Sequence, residues 1–430
     1  MTEKIRQACV IILIMFIALV ASSLSSSAEE PQKPALKAEE SVEEYEEYTM
    51  LEMMEYLMIP RRAVGKISLS DKVEYIDNYF FQKEKDETTD SRFSNIIAPS
   101  IYLKYPMGRT YLEGRYDYDF TYYITHGEIA HRHNANVKLY HRPTRRLSVG
   151  LSDTFNRSDY AVQETTVDTP VGGRTITTNV LNGETVYELT RRLRTRLWGN
   201  YSILDFKEEA EGNSGDHEAA AFGSGVGVIA DPRSTIWASY GLRKTWFEKL
   251  KKKSSANHIV RLNFNRKVQK KFDVTVGGGY NFLHYDTGEE VRGFTADTDL
   301  KFFLSKFTDI DFAYAYGFTD SVKEDFLVYR SHTVKAAMRH TLTPRISMDA
   351  EIHYLLAYYD RDFEIKKSPS DPVLSDTKNS KTFGAQANMN YKISRIFDVG
   401  ATYNVDVKFS DFEQDDYFAN KYLVYVKAEF

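Results

Sequence analysis

Phe397–Ser410, FDVGATYNVDVKFS, decides the fold. Phe397, Val399, Ala401, Tyr403, Val405, Val407 and Phe409 share one parity. Asp398, Gly400, Thr402, Asn404, Asp406, Lys408 and Ser410 share the other. Side chains alternate across a β-strand, so this stretch reads as a strand with one apolar face and one polar or small face. The pattern recurs in Leu112–Phe120, Phe272–Phe282, Ile310–Phe318 and Ile346–Tyr354. A strand such as Phe272–Phe282 rises about 3.3 Å per residue and, tilted near 40°, climbs about 25 Å, the height of a membrane barrel's apolar band.

The composition fits strands divided between lipid and water. The chain holds 30 Tyr and 26 Phe, yet 27% of its residues are charged and mean hydropathy is −0.46. Opposite faces of each strand cancel in the average. Beyond the first residues no apolar run approaches the length of a membrane helix. The net charge of −5 is unlike a nucleic-acid-binding surface, so no nucleic-acid partner is expected.

A repeated turn orders the strands. Met107-Gly108-Arg109, Pro143–Arg146, Thr190–Arg192, Asp231–Ser234, Gln269–Lys271, Ser305-Lys306, Thr343–Arg345 and Ser394-Arg395 each lead into a new alternating run. Longer hydrophilic stretches lie between them: Lys83–Arg92, Val162–Asn182, Lys207–Asp216 and Glu364–Ser380. Short turns on one side and long loops on the other mark a membrane barrel. The expected fold is all-β: a transmembrane, antiparallel, up-and-down β-barrel of about 18 strands, with a short N-terminal helix. The weakest strand lies around Thr185–Thr190, which leaves 16 strands as the alternative.

Both ends of the chain carry targeting features. Residues 1–28 read as a signal peptide, with Lys4 and Arg6 before the apolar run Ala8–Ala21 and small residues Ser26-Ser27-Ala28 at the cleavage position. The only cysteine, Cys9, lies within that run, so no disulfide or thiolate site is expected in the exported part. Residues 29–64 read as a periplasmic extension, in which Ser41–Glu44 forms a capping box for an amphipathic helix over 41–58. The barrel is assigned to 65–430. At its end Tyr422, Val424, Val426, Ala428 and Phe430 alternate up to the terminal residue. This resembles the signal by which the outer-membrane barrel-assembly machinery recognises a last strand. Lipid and lipopolysaccharide of the bacterial outer membrane are the other expected partners.

Ser70-Asp-Lys-Val-Glu74-Tyr75-Ile-Asp77-Asn78-Tyr-Phe80 and Pro106-Met-Gly108-Arg109-Thr110 carry a family resemblance. The stretch from Gly65 to Ile124 resembles the opening of a family of outer-membrane β-barrel porins often associated with exopolysaccharide gene clusters. The likeness is specific in the first hairpins and generic afterwards. It implies a porin or channel that passes or exports saccharides or other small hydrophilic solutes. The alternative is a non-conducting structural or secretion-accessory barrel. The resemblance brings no catalytic residue with it.

Parity gives a candidate lumen lining. Lys104, Arg115, Lys138, Arg194, Arg196, Arg243 and Arg261 form a largely basic set on the earlier strands. Asp273, Asp297, Asp299, Asp309, Asp311, Asp349 and Glu351 form a largely acidic set later. Facing walls of opposite sign would set a field across the lumen; alternatively these charges pair between neighbouring strands. Gly223, Gly225 and Gly227 on one inward face, with Gly277 and Gly279 on another, would give room or let the sheet bend. His126, His131, His133 and His141 gather in one hairpin, but no fixed carboxylate or cysteine completes a metal site. The chain lacks G-x-S-x-G, H-E-x-x-H and P-loop motifs. Neither enzyme activity, metal nor cofactor is expected.

Overall fold

The computed structural model describes residues 63–77, 91–125, 127–161, 174–207, 216–247, 254–268, 271–320, 328–359, 378–411 and 416–430. They form β1 Val64–Ile76, β2 Arg92–Met107, β3 Thr110–Tyr123, β4 Glu128–His141, β5 Leu147–Ala161 and β6 Arg174–Glu188. Next come β7 Leu193–Lys207, β8 His217–Asp231, β9 Ser234–Phe247, β10 Ser255–Val268, β11 Phe272–Tyr285 and β12 Glu290–Ser305. The last six are β13 Thr308–Asp320, β14 Val328–Thr343, β15 Ile346–Tyr359, β16 Lys378–Lys392, β17 Phe397–Ser410 and β18 Tyr417–Glu429. Each strand pairs antiparallel with its sequence neighbours, and β1 pairs with β18 to close an 18-stranded sheet. Closure matters in lipid, where an unpaired backbone group costs several kcal/mol.

The two parities become the two surfaces of the barrel. Ile67, Leu69, Ile101, Leu103, Leu197, Phe222, Leu262, Phe294 and Val424 are exposed on the outside. Burying such a surface requires hydrocarbon around it. The opposite parity faces the lumen and is mostly polar. Near the extracellular strand ends, that inward face carries small apolar clusters: Ile76 with Tyr123 and Ala130, Leu283 with Tyr285 and Val291, and Tyr329 with Ala357 and Tyr359.

The short turns share a local mechanism. Thr144, Thr190, Thr343 and Ser394 each use a side-chain oxygen to accept the backbone N–H groups two and three residues ahead, at 3.0–3.2 Å. Asp231 accepts from Arg233 N at 2.7 Å in the same manner, and Ser305 from Phe307 N at 3.1 Å. Such oxygens replace backbone hydrogen bonds that the reversing chain cannot make. The first turn instead uses Gly108, whose φ of +63° suits a residue without Cβ.

One stretch departs from the sequence expectation. Val162–Asn182 was expected as a loop, yet β6 already begins at Arg174 and continues to Glu188. Its outward positions Thr175, Thr177 and Asn179 are polar, so the alternation is faint although the backbone is fully paired with β5 and β7. The 18-strand alternative therefore holds over 16. The described residues contain no helix, and the expected helix over 41–58 lies outside them.

β1 and β18 meet over a short ladder, Ser68–Ile76 against Lys421–Glu429. Side chains reinforce it. Lys66 Nζ lies 2.7 Å from Glu429 Oε1, and Lys421 Nζ lies 3.0 Å from Glu74. Asp77 accepts both the backbone N–H (2.5 Å) and the side-chain amide (2.7 Å) of Asn420. Tyr75 packs on Tyr422, which packs on Tyr403. Phe430 N donates to Ile67 O at 2.8 Å, and Ile67 N donates back at 3.1 Å. Glu74, Tyr75 and Asp77 of the first-strand motif thus hold the last strand, more than 340 positions away. Tyr422, Val424, Val426, Ala428 and Phe430 line the outer face of this seam.

Candidate functional site in the barrel lumen

Register places Lys104, Arg115, Lys138, Arg194, Arg196, Arg243 and Arg261 on the inward parity. Asp273, Asp297, Asp299, Asp309, Asp311, Asp349 and Glu351 share it. At least half of these groups meet an opposite charge on a nearby strand. Arg196 pairs with Glu184, and Arg194 lies 3.1 Å from Glu188. Arg339 lies 2.8 Å from Asp309 and 2.9 Å from Asp311, and Lys301 approaches the same two carboxylates at 3.9 and 3.7 Å. Lys335 lies 3.1 Å from Glu351. Asp349 accepts from Asn388 Nδ2 at 3.4 Å. Arg115 pairs with Asp117 at 2.8 Å, and Lys104 sits 5.2 Å from the Tyr111 ring centre.

The wall is therefore a mesh of local pairs rather than two separated fields. Glu184 and Glu188 had no place in the sequence reading, because the strand that carries them was read partly as a loop. Their signal was the two-residue spacing Glu184–Val186–Glu188, visible only once β6 is recognised. Lys138 and Arg243 make no ion pair or hydrogen bond among the described residues, and of the two Arg243 is the exposed one on the lumen face.

Glycines make this lining possible. Arg261 on β10 reaches Asp297 on β12 directly across β11, passing over Gly277. A Cβ on Gly277 would lie 2.6 Å from Asp297 Oδ1 and 2.7 Å from Arg261 Nη2. On β8, the Trp198 ring covers Gly223 and also Gly241 of β9, while the Trp237 ring covers Gly227. Over Gly223, Gly227 and Gly277 the space is thus taken by neighbouring side chains. A cavity of about 230 Å³ opens over this region, lined by Glu184, Arg196, Trp237, Arg261, Asn265 and Asp297 among others.

The histidines lie elsewhere. His131 and His133 point outward from β4, where Nδ1 of each shares a hydrogen bond with Tyr118 (2.7 Å) and Tyr116 (2.8 Å). His141 meets Thr110 at 2.8 Å. His126 lies outside the described residues. Among the described residues no group of three His, Cys, Asp or Glu is placed to hold a metal.

A closed antiparallel barrel with an apolar outside and a charged, polar inside has the arrangement of an outer-membrane β-barrel. Residues 264–430 match the model of the family described as "Putative beta-barrel porin 2", and the protein resides in the bacterial outer membrane. No curated protein matches the sequence. Among solved structures, Pseudomonas aeruginosa OpdK is similar at 9% identity with a TM-score of 0.43, covering 85% of this chain and 99% of that one. Acinetobacter baumannii OccAB4 is similar at 12% identity with a TM-score of 0.46, covering 86% and 100%. P. aeruginosa OpdQ is similar at 10% identity with a TM-score of 0.46, covering 86% and 98%.

Proposed function

We propose that this barrel is a channel for the passage or export of saccharides or other small hydrophilic solutes. The observation that carries the reading is the inward face, where ion pairs fixed between neighbouring strands leave a polar wall beside a cavity of about 230 Å³. A barrel of this strand number is wide enough to keep water inside unless side chains or loops fill it. Proteoliposomes carrying the folded chain should swell in an isotonic monosaccharide solution at a rate well above empty liposomes. Equal rates would contradict the proposal.

The buried Tyr285 and Tyr359 on the inward side of the extracellular rim favour the second reading, a non-conducting structural or secretion-accessory barrel. Ion selectivity separates the two. Asp309→Asn with Asp311→Asn leaves Lys301 and Arg339 without these two carboxylates. Removing two negative charges from a conducting lumen raises the local potential, so the reversal potential should move toward anion preference. A current whose selectivity is unchanged would place these pairs off the ion path.

A further inference from the structure

Trp198, Trp237 and Trp246 are the chain's three tryptophans. Tryptophan favours the membrane–water girdles, where its ring is apolar and its N–H reaches water. Trp246 follows that preference and is exposed on the outer face. Trp198 and Trp237 do not, since register puts both on the lumen face. Each ring lies against glycine backbone, Trp198 on Gly223 and Gly241, Trp237 on Gly227. Both are only partly buried, and Trp237 lines the cavity. The rings therefore rest on the wall by one side and offer the other to the lumen.

We propose that Trp198, Trp237 and Arg243 form a binding strip for acidic saccharides along β7–β9. Trp198 and Trp237 sit opposite Gly223 and Gly227, four positions apart on β8, or roughly 13 Å along the strand. The C–H face of a pyranose is weakly positive and apolar, which suits the electron-rich face of an indole. Sugar hydroxyls need donors and acceptors at the ring edge. Asn265 lines the same cavity, and its buried Oδ1 has no hydrogen-bond partner among the described residues. Arg243 stands two positions beyond Gly241 on β9, about 7 Å past the Trp198 platform. A guanidinium without a partner among the described residues, beside an aromatic face, matches a sugar carboxylate, which it can hold through two parallel hydrogen bonds. The Arg196–Glu184 and Arg261–Asp297 pairs are already satisfied and leave that role to Arg243.

This strip rests on the reading of the lumen as a solute path, and the test separates the two. The probes are trigalacturonate and its neutral counterpart galactotriose, added to single channels of the full exported chain. Trigalacturonate should interrupt the current with residence times about tenfold longer than galactotriose. Trp198→Ala and Trp237→Ala should each shorten the blockades about tenfold, and Arg243→Gln should bring the two sugars to the same residence time. Blockades that none of the three substitutions alters, in folded channels of normal conductance, would overturn the strip while leaving the pore standing. If no current appears at all, the pore reading fails and binding is read by tryptophan emission in detergent. A saturable change with trigalacturonate, weakened about tenfold by Arg243→Gln, then upholds the strip, and no change overturns it.

Discussion

Asp77→Ala should destabilise the folded barrel by about 3 kcal/mol, because it removes a charged acceptor from two hydrogen bonds and leaves their donors unmatched. Asp77 holds Asn420 through its backbone and side-chain amides, and Asp77 N donates back to Asn420 O at 3.0 Å. Asn420 in turn accepts from the Tyr403 hydroxyl at 2.7 Å, which joins β17 to the same lock. The seam is where such a loss should be felt most. β1 pairs with β2 from Val64 to Ile76, but with β18 only from Ser68. The remaining seam pairs, Lys66 with Glu429 and Lys421 with Glu74, then carry the closure. The midpoint of urea unfolding, followed by the electrophoretic shift between folded and heated barrel, checks this. Asp286→Ala is the control. Its partner Lys244 lies 2.5 Å away in a surface pair whose side chains stay 30% and 52% exposed, and such pairs contribute at most about 1 kcal/mol. Equal midpoints for the two variants would show that Asp77 does not secure the seam.

Gly223→Val should disturb the lumen more than any surface change, by driving Trp198 off the wall. A Cβ at this position falls inside the space of the indole ring, and the branched valine adds further atoms there. Overpacking of this kind typically costs about 1–3 kcal/mol. Gly241, paired with Gly223 across β8 and β9, lies beneath the far edge of the same ring, with its own Cβ position 2.8 Å from Cζ2 of Trp198. The ring has to swing toward the axis, and the channel should conduct less. Trp198→Ala in the same chain removes the obstruction. The double variant should therefore recover both conductance and urea midpoint toward those of Trp198→Ala alone, as expected for directly coupled positions. Additive losses would mean that the ring and the glycine do not share this space.

The architecture was legible because lipid on one side and water on the other impose strict alternation on each strand. Phe397–Ser410 shows it without interruption and is β17 with the same bounds. The turns were legible too, since Thr, Ser or Asp before Arg supplies the oxygen that caps the reversing backbone. β6 was obscured where its outward face turns polar at Thr175, Thr177 and Asn179, and the strand's two glutamates went unseen with it. The lumen mesh was harder still. That Arg261 passes over Gly277 to Asp297, or that Trp198 lies over Gly223 and Gly241, depends on the register of three successive strands. Parity assigns a face to each residue but does not fix its height, so it gives the lining without its pairings. Asp77 was conspicuous as part of a motif, yet its partner Asn420 is remote in sequence and could not be found from spacing.

The central claim is that the lumen conducts. The direct measurement is single-channel current across planar bilayers containing the refolded chain from residue 29, with a second preparation that begins at residue 65. Discrete, stable conductance steps are predicted, and larger steps from the shorter chain would make residues 29–64 an obstruction of the pore. Silence in both preparations, with the barrel shown to be folded by its heat-modifiable migration, would contradict the channel and leave a structural or secretion-accessory barrel.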